Sequence, residues 1–405
     1  MSASALRPAV PLLVLIIAGC IVAAIGNGVR TSFGLFTLPI TSDLGLTREG
    51  WGMAMAIQNL AWGIAQPFAG GFADRVGTGR TIAVGAAIYA LGVLGMAFSP
   101  DAGIMTITAG IVTGVGIAVS SFSVVMAAFG RAVPPEKRPL IFGVATAASS
   151  FGQFAFAPIS QGFINAFGWN TALLYLGGIL LLIIPLAYAL RGRAEVSTGQ
   201  ADLKFMEALS RAWGYGSYRL LVIGFFVCGF HLAFINVHLP AYLVQCGLSP
   251  ETGSWTIAVI GLFNIVGSLL AGYLGGRFPK QILLAAIYFL RAIAIGAFLL
   301  IPVSEITAYA FAAAMGVLWL STVPPTAGLV SLFFGPRYMG MLYGIAFLSH
   351  QIGSFIGVWL GGYVYDLTGS YSLVWYLGII LGLASAAVHL PINERSSPEF
   401  ALKPA

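Results

Sequence analysis

Long apolar stretches separated by short polar joints run through the whole chain, and they restrict its fold more than any other feature. A helix needs about 20 apolar residues to cross a bilayer. By that rule spans are expected near 10–38, 50–72, 80–98, 103–129, 139–163 and 169–190. After a polar interval, six more are expected near 219–245, 252–276, 280–301, 304–331, 338–365 and 370–391. The runs are far too long for the strands of a membrane barrel, and the alternating pattern of such strands is missing. Only 8% of the residues are charged, against roughly 25% in a soluble domain. Gly fills 52 of 405 positions, about twice its usual share, as suits helices that approach closely in lipid.

The basic residues set the orientation. With both termini placed inside, 16 of the 19 Lys and Arg fall on the inner face, Arg48 falls outside, and Arg30 and Arg291 remain within spans. Lys and Arg are retained on the cytoplasmic side of membrane proteins, so both termini are expected in the cytoplasm and the protein in the cell inner membrane. The same bias accounts for the net charge of +6 without any nucleic-acid partner. Ile17-Ala18-Gly19-Cys20 resembles a lipoprotein cleavage box. The apolar run continues past Cys20, however, as a retained first span would.

The chain repeats itself. Gly70-Gly71-Phe72-Ala73-Asp74-Arg75-Val76-Gly77-Thr78-Gly79-Arg80 joins the second and third expected spans, and a degraded copy, Ala271-Gly272-Tyr273-Leu274-Gly275-Gly276-Arg277-Phe278-Pro279-Lys280, follows about 201 residues later. At the same offset Leu38-Pro39 answers Leu239-Pro240, Gly152 answers Gly353, Gly168 answers Gly369, and Tyr175-Leu176-Gly177 answers Tyr376-Leu377-Gly378. Duplicated membrane units are typical of transporters. The expected fold class is an all-α membrane protein of twelve transmembrane helices in two six-helix, pseudo-symmetric bundles. Residues 1–190 and 219–405 would form the bundles, and 191–218 a cytoplasmic linker with an amphipathic helix around Leu203–Trp213.

Twelve spans, a six-plus-six repeat, a central inner loop and this hairpin together resemble the major facilitator superfamily. Its tract reads Gly-x-x-x-Asp-Arg-x-Gly-x-x-Arg, and Gly70, Asp74, Arg75, Gly77 and Arg80 fill those places. The resemblance implies that these five residues latch the two halves on the inner side. Asp74 would accept hydrogen bonds from a neighbouring helix start, and the two arginines would bridge to carbonyls or phosphates. It also implies a substrate site at mid-membrane, lined mainly by spans one, four, seven and ten, with contributions from two, five, eight and eleven.

Ionisable groups inside a membrane are costly and therefore functional candidates. Arg30 lies deep in the first span with Asn27 one turn away, and a bound carboxylate would satisfy its guanidinium bidentately. His231 answers Arg30 at the 201-residue offset and is expected to face the same cavity. His350, Gln351, Asn264 and Trp319 are further candidates for the lining. Arg291 is expected to bond neighbouring carbonyls structurally, and Pro324-Pro325 to bend the tenth span. His238 and His389 read as packing residues.

All thirteen acids fall at span ends or in loops. A cavity with cations and no anions attracts anionic solutes. Within the superfamily the chain is most similar to the monocarboxylate and oxalate–formate porters, through Gly28-Val29-Arg30-Thr31-Ser32-Phe33-Gly34-Leu35-Phe36 and the stretch leading to Asn264. Those porters usually place an Arg in span eight, where this chain has Asn264 and Ser268. The expected function is a secondary transporter of a small, monocarboxylate-like organic anion working by alternating access. The alternative is an efflux transporter for amphipathic drugs or metabolites. A co-transported proton would ride on His231, His350 or the solute's own carboxyl. No nucleophile–base pair suggests an enzyme. Cys20, Cys228 and Cys246 lack metal-binding spacing. No cofactor or metal is expected, and a monomer in lipid, with a small solute as partner, is.

Overall fold

A computed structural model describes residues 10–134, 137–192, 205–398 and 400, without the side chains of Asp74, Pro139, Phe205, Pro336 and Arg337. Among the described residues there is no strand, and ten helical segments are long and apolar enough to cross a membrane. One of them, Leu140–Leu190, covers both the fifth and sixth expected spans. Its backbone leaves the helix at Gly168, with φ 76° and ψ 166°, and Gly335 (φ 74°, ψ 170°) makes the same break between the tenth and eleventh. Only glycine adopts such angles without strain, so the two joints are written into the sequence. The helix Arg48–Val76, 29 residues long, lies where the second span was expected. It stands outside the ten, and its middle carries Gln58, Asn59 and Gln66. The helix expected at Leu203–Trp213 is Phe205–Gly214, with Ala208 and Ala212 buried and Arg211 paired to Glu207 at 2.6 Å. Residues 193–204 of that interval lie outside the described residues.

The helices pack through glycine. A Cβ on Gly152 would strike the carbonyl of Ala24, and one on Gly28 would sit 2.7 Å from the carbonyl of Gly152. The first and fifth spans thus touch backbone to backbone. The contact recurs 201 residues on, where Gly353 meets the Phe226 carbonyl and Gly229 the His350 carbonyl. In lipid the hydrophobic effect does not pull helices together, so close van der Waals contact of this kind has to do it. The perimeter is correspondingly apolar: Phe68, Leu300 and Ile306 are among its most exposed residues. The seventh helix, Gly216–Gln245, is buried along most of its length.

Two spans break at corresponding points. The fourth is interrupted at Ser120-Ser121, between helices Thr113–Val119 and Phe122–Ala132. The tenth stops at Leu318 and resumes at Val323. Pro324 and Pro325 therefore do not bend a continuous helix. They sit in the first turn of a new one, where a missing N–H costs no hydrogen bond.

Candidate functional site

Near Arg30 the first span loosens. Helix Leu12–Thr31 gives way to a tighter turn at Phe33–Phe36, and the hydroxyls of Thr31 and Ser32 bond back to the carbonyls of Asn27 and Gly28, each at 2.9 Å. The turn brings Arg30, Asn27 and Phe33 onto a cavity of about 110 Å³ in the middle of the molecule. Gln58, Asn59 and Trp62 reach it from helix Arg48–Val76, and Phe225 and Asn236 from Gly216–Gln245. Trp319 enters from the break in the tenth span, and Tyr343, Phe347, His350 and Gln351 from the eleventh.

Arg30 is half-buried, and its guanidinium lies over the Trp62 ring, 4.9 Å from the centroid. Among the described residues it has no hydrogen bond and no ion pair. A charge at mid-membrane costs about 2.5–3.5 kcal/mol, and a cation–π contact returns about 0.5–2 kcal/mol. The ring alone leaves part of the cost uncovered, so the site favours an anion or water against Arg30. The amides around it are mostly committed elsewhere. Asn27 donates to the Ser149 carbonyl at 3.0 Å, Gln58 to Ala109 at 2.8 Å and Asn59 to Met55 at 2.9 Å. Among the described residues, two buried groups on the wall lack hydrogen-bond partners, Gln351 Nε2 and Asn236 Oδ1. His350 donates from Nδ1 to Gln351 Oε1 at 3.1 Å and stacks on Phe347, ring centroids 5.7 Å apart.

Five of the seven expected binding residues, Asn27, Arg30, Trp319, His350 and Gln351, therefore share one cavity. His231 and Asn264 are not among its lining residues. Buried His231 donates from Nε2 to the carbonyl of Gly378 at 2.7 Å, on the side of its helix facing Ser372–His389. The 201-residue offset matched its sequence position to Arg30 but not its direction. Asn264 is spent on helix junctions: it donates to Ser150 Oγ at 2.9 Å and accepts from Leu320 N at 3.0 Å, which ties the eighth span to the fifth and to the break behind Trp319. His238 and His389 are likewise bonded to carbonyls, of Val358 and Ser385, both at 2.8 Å.

Arg291 is fully buried and donates to the Leu318 carbonyl at 2.6 Å and to that of Trp319. These are orphan carbonyls where helix Glu305–Leu318 ends, so Arg291 pins the break that carries Trp319. The aromatic lining was missed from the sequence, although a signal for it exists. Tyr343, Phe347, His350, Gln351 and Ser354 recur at helical spacing along one face.

At one end of the helices the second span is joined to the eleventh and twelfth. The Asp366 carboxylate accepts from the backbone N–H groups of Arg48 at 3.2 Å and Glu49 at 2.6 Å. The Arg48 side chain donates to the Tyr371 hydroxyl at 2.7 Å and stacks over Tyr365 at 3.6 Å. Trp359 donates to Glu49 at 3.1 Å. Nearby, Asn165 donates to Glu251 at 2.7 Å, across the fifth and eighth spans.

At the other end lies the glycine tract. The side chain of Asp74 is outside the described residues, Arg75 and Arg80 are exposed, and Gly70 has open space around it. Gly77 turns the chain at φ 99° into helix Thr78–Ala97. Thr78 docks there on the end of the sixth span, donating from N to Gly192 O at 3.0 Å and receiving a bond from Arg131 at 2.7 Å.

Comparison with known proteins agrees with this architecture. The family model of the Major Facilitator Superfamily matches residues 15–358. The uncharacterized MFS-type transporter YcxA of Bacillus subtilis is 27% identical over 91% of this chain and 92% of its own. Monocarboxylate transporter 13 of Rattus norvegicus is 25% identical over 90% and 85%. Among solved structures, a point mutant of the nucleoside transporter NupG superposes with a TM-score of 0.75 at 12% identity, covering 93% of this chain and 99% of that one. The D-xylose–proton symporter gives 0.71 at 16%, covering 94% and 97%. At such identities the structures report the fold alone. The chain is a multi-pass membrane transporter rather than an enzyme, and it belongs to the Major Facilitator Superfamily.

Proposed function

We propose that this protein carries a small, monocarboxylate-like organic anion across the cell inner membrane by alternating access. Twelve spans in two six-helix halves, 1–190 and 219–405, would rock about the central cavity, with both termini in the cytoplasm. The eleventh and twelfth come from counting Arg48–Val76 as a span and dividing Leu140–Leu190 at Gly168. The observation that carries the reading is Arg30, a cation on the cavity wall that no acid or carbonyl among the described residues neutralises. A carboxylate would pair with it in two parallel N–H···O bonds. Gln351 Nε2, unpartnered on the same wall, would add a third donor.

The relatives named as monocarboxylate transporters support the same class. A co-transported proton would ride on His350, the one histidine among the cavity's described lining residues, or on the solute's own carboxyl. The end joined by Arg48 and Asp366 would face outward, and Asp74, Arg75, Gly70, Gly77 and Arg80 would latch the inner face when the outer one opens. Efflux of amphipathic compounds is the second reading, favoured by the ring-lined wall.

Counterflow in proteoliposomes with labelled monocarboxylates tests the proposal. Wild type should exchange them, Arg30→Gln should lose at least about 100-fold, as expected for two charge-assisted bonds, and Arg30→Lys should recover part. Carboxylate exchange indifferent to Arg30 would overturn the assigned site. No exchange, together with raised drug tolerance of cells, would favour efflux.

A further inference from the structure

Resting on the anion reading above, we infer that the solute's uncharged part is a flat ring, making the cargo an aromatic monocarboxylate of benzoate size. The cavity wall beside Arg30 is a connected surface of rings. Trp62 meets Phe347 edge to face, centroids 5.2 Å apart, and Phe347 lies nearly parallel to His350, 8° between their planes. His350 in turn meets Phe225 at 5.0 Å, and Phe225 meets Tyr343 at 6.3 Å. All five of these rings line the cavity that holds Arg30. Ring faces and edges carry opposite partial charges, so such a wall recognises an inserted ring by offset or edge-on stacking, beyond the area it buries.

Size and charge narrow the class further. A cavity of about 110 Å³ is ample for one water many times over and admits one ring with its carboxylate. Arg30 is the only Lys or Arg among its described lining residues, and no Asp or Glu is among them. One negative charge is therefore matched and a second is not. Trp62 covers one face of the guanidinium, which leaves the N–H edges for the carboxylate and holds the anchor against the ring surface. A carboxylate bound to Arg30 would bring a directly attached ring to the ring wall that starts at Trp62 and continues through Phe347 to His350.

The test is competition for counterflow in proteoliposomes by benzoate, by cyclohexanecarboxylate of like size and charge without aromaticity, by lactate, and by uncharged benzamide. Benzoate should compete about five- to ten-fold better than cyclohexanecarboxylate, the upper range expected from one good stacking contact, and benzamide should not compete. Phe347→Leu should bring benzoate and cyclohexanecarboxylate within about two-fold of each other, and Phe347→Tyr should restore the gap. Equal competition by the two acids, or preference for lactate, with exchange still dependent on Arg30, overturns this inference and leaves the anion reading standing. Absence of exchange with every carboxylate overturns both.

Discussion

The Asp366 carboxylate accepts a hydrogen bond from the backbone N–H of Glu49 at 2.6 Å, although 317 positions separate the two residues. Asp366 thereby caps a helix that belongs to the other end of the chain, beside Thr47, whose hydroxyl accepts from Gly50 N at 3.0 Å. The first turn of a helix holds unpaired N–H groups and a partial positive charge, so a carboxylate there joins the second and eleventh spans without needing a basic side chain. If this end opens during transport, the cap must break.

Replacing Asp366 by Ala should therefore favour the state open at this end. Losing a cap costs about 1 kcal/mol, or about a five-fold change in the balance of states. Spin labels at Thr41 and Glu251, measured by double electron–electron resonance, should show a larger long-distance population in Asp366→Ala. An unchanged distribution would mean that the cap does not govern opening.

The glycine crossings make a stability prediction. In Gly353→Ala the new Cβ collides with the Phe226 carbonyl, and because backbone cannot step aside cheaply the cost should be about 1–3 kcal/mol. Gly178→Ala, where nothing lies within 4 Å, should be neutral or slightly stabilising. Thermal unfolding in detergent compares the two, and equal midpoints would contradict the packing account.

Arg291 should matter for folding more than for binding. Arg291→Leu leaves the carbonyls of Leu318 and Trp319 without their donor in a buried position, at about 1–3 kcal/mol each. A clearly lowered midpoint is expected, with Arg291→Lys intermediate. A variant that unfolds like wild type but no longer binds solute would assign Arg291 to the site instead.

The histidines should separate by role. His350→Gln should abolish uphill accumulation driven by a pH gradient while counterflow is weakened and not lost, because His350 is the histidine among the cavity's described lining residues and also part of its ring wall. His231→Gln should keep the pH response and lose stability, because its Nε2 holds the Gly378 carbonyl. Flux and accumulation measured on the same vesicles distinguish the two, and loss of the pH response in His231→Gln alone would reverse the assignment.

The sequence by itself determined the class of fold, since apolar runs of about 20 residues leave helices as the only way to pair every backbone group in lipid. It also placed the joints between spans, at two of which the structure puts Gly168 and Gly335 with φ near 75°, and it singled out Arg30 by the cost of a charge among apolar residues. Only the tertiary structure decided what each polar side chain faces. A helix repeats every 3.6 residues, so His231 and Asn236, five apart, point to different neighbours: one to the Gly378 carbonyl, the other into the cavity. Asn264 turned from a lining candidate into a helix junction in the same way. The ring wall formed because Trp62, Phe225 and Phe347 come from three separate helices. Their meeting depends on glycine crossings, which the chain encodes as single residues and which act only once the helices have packed.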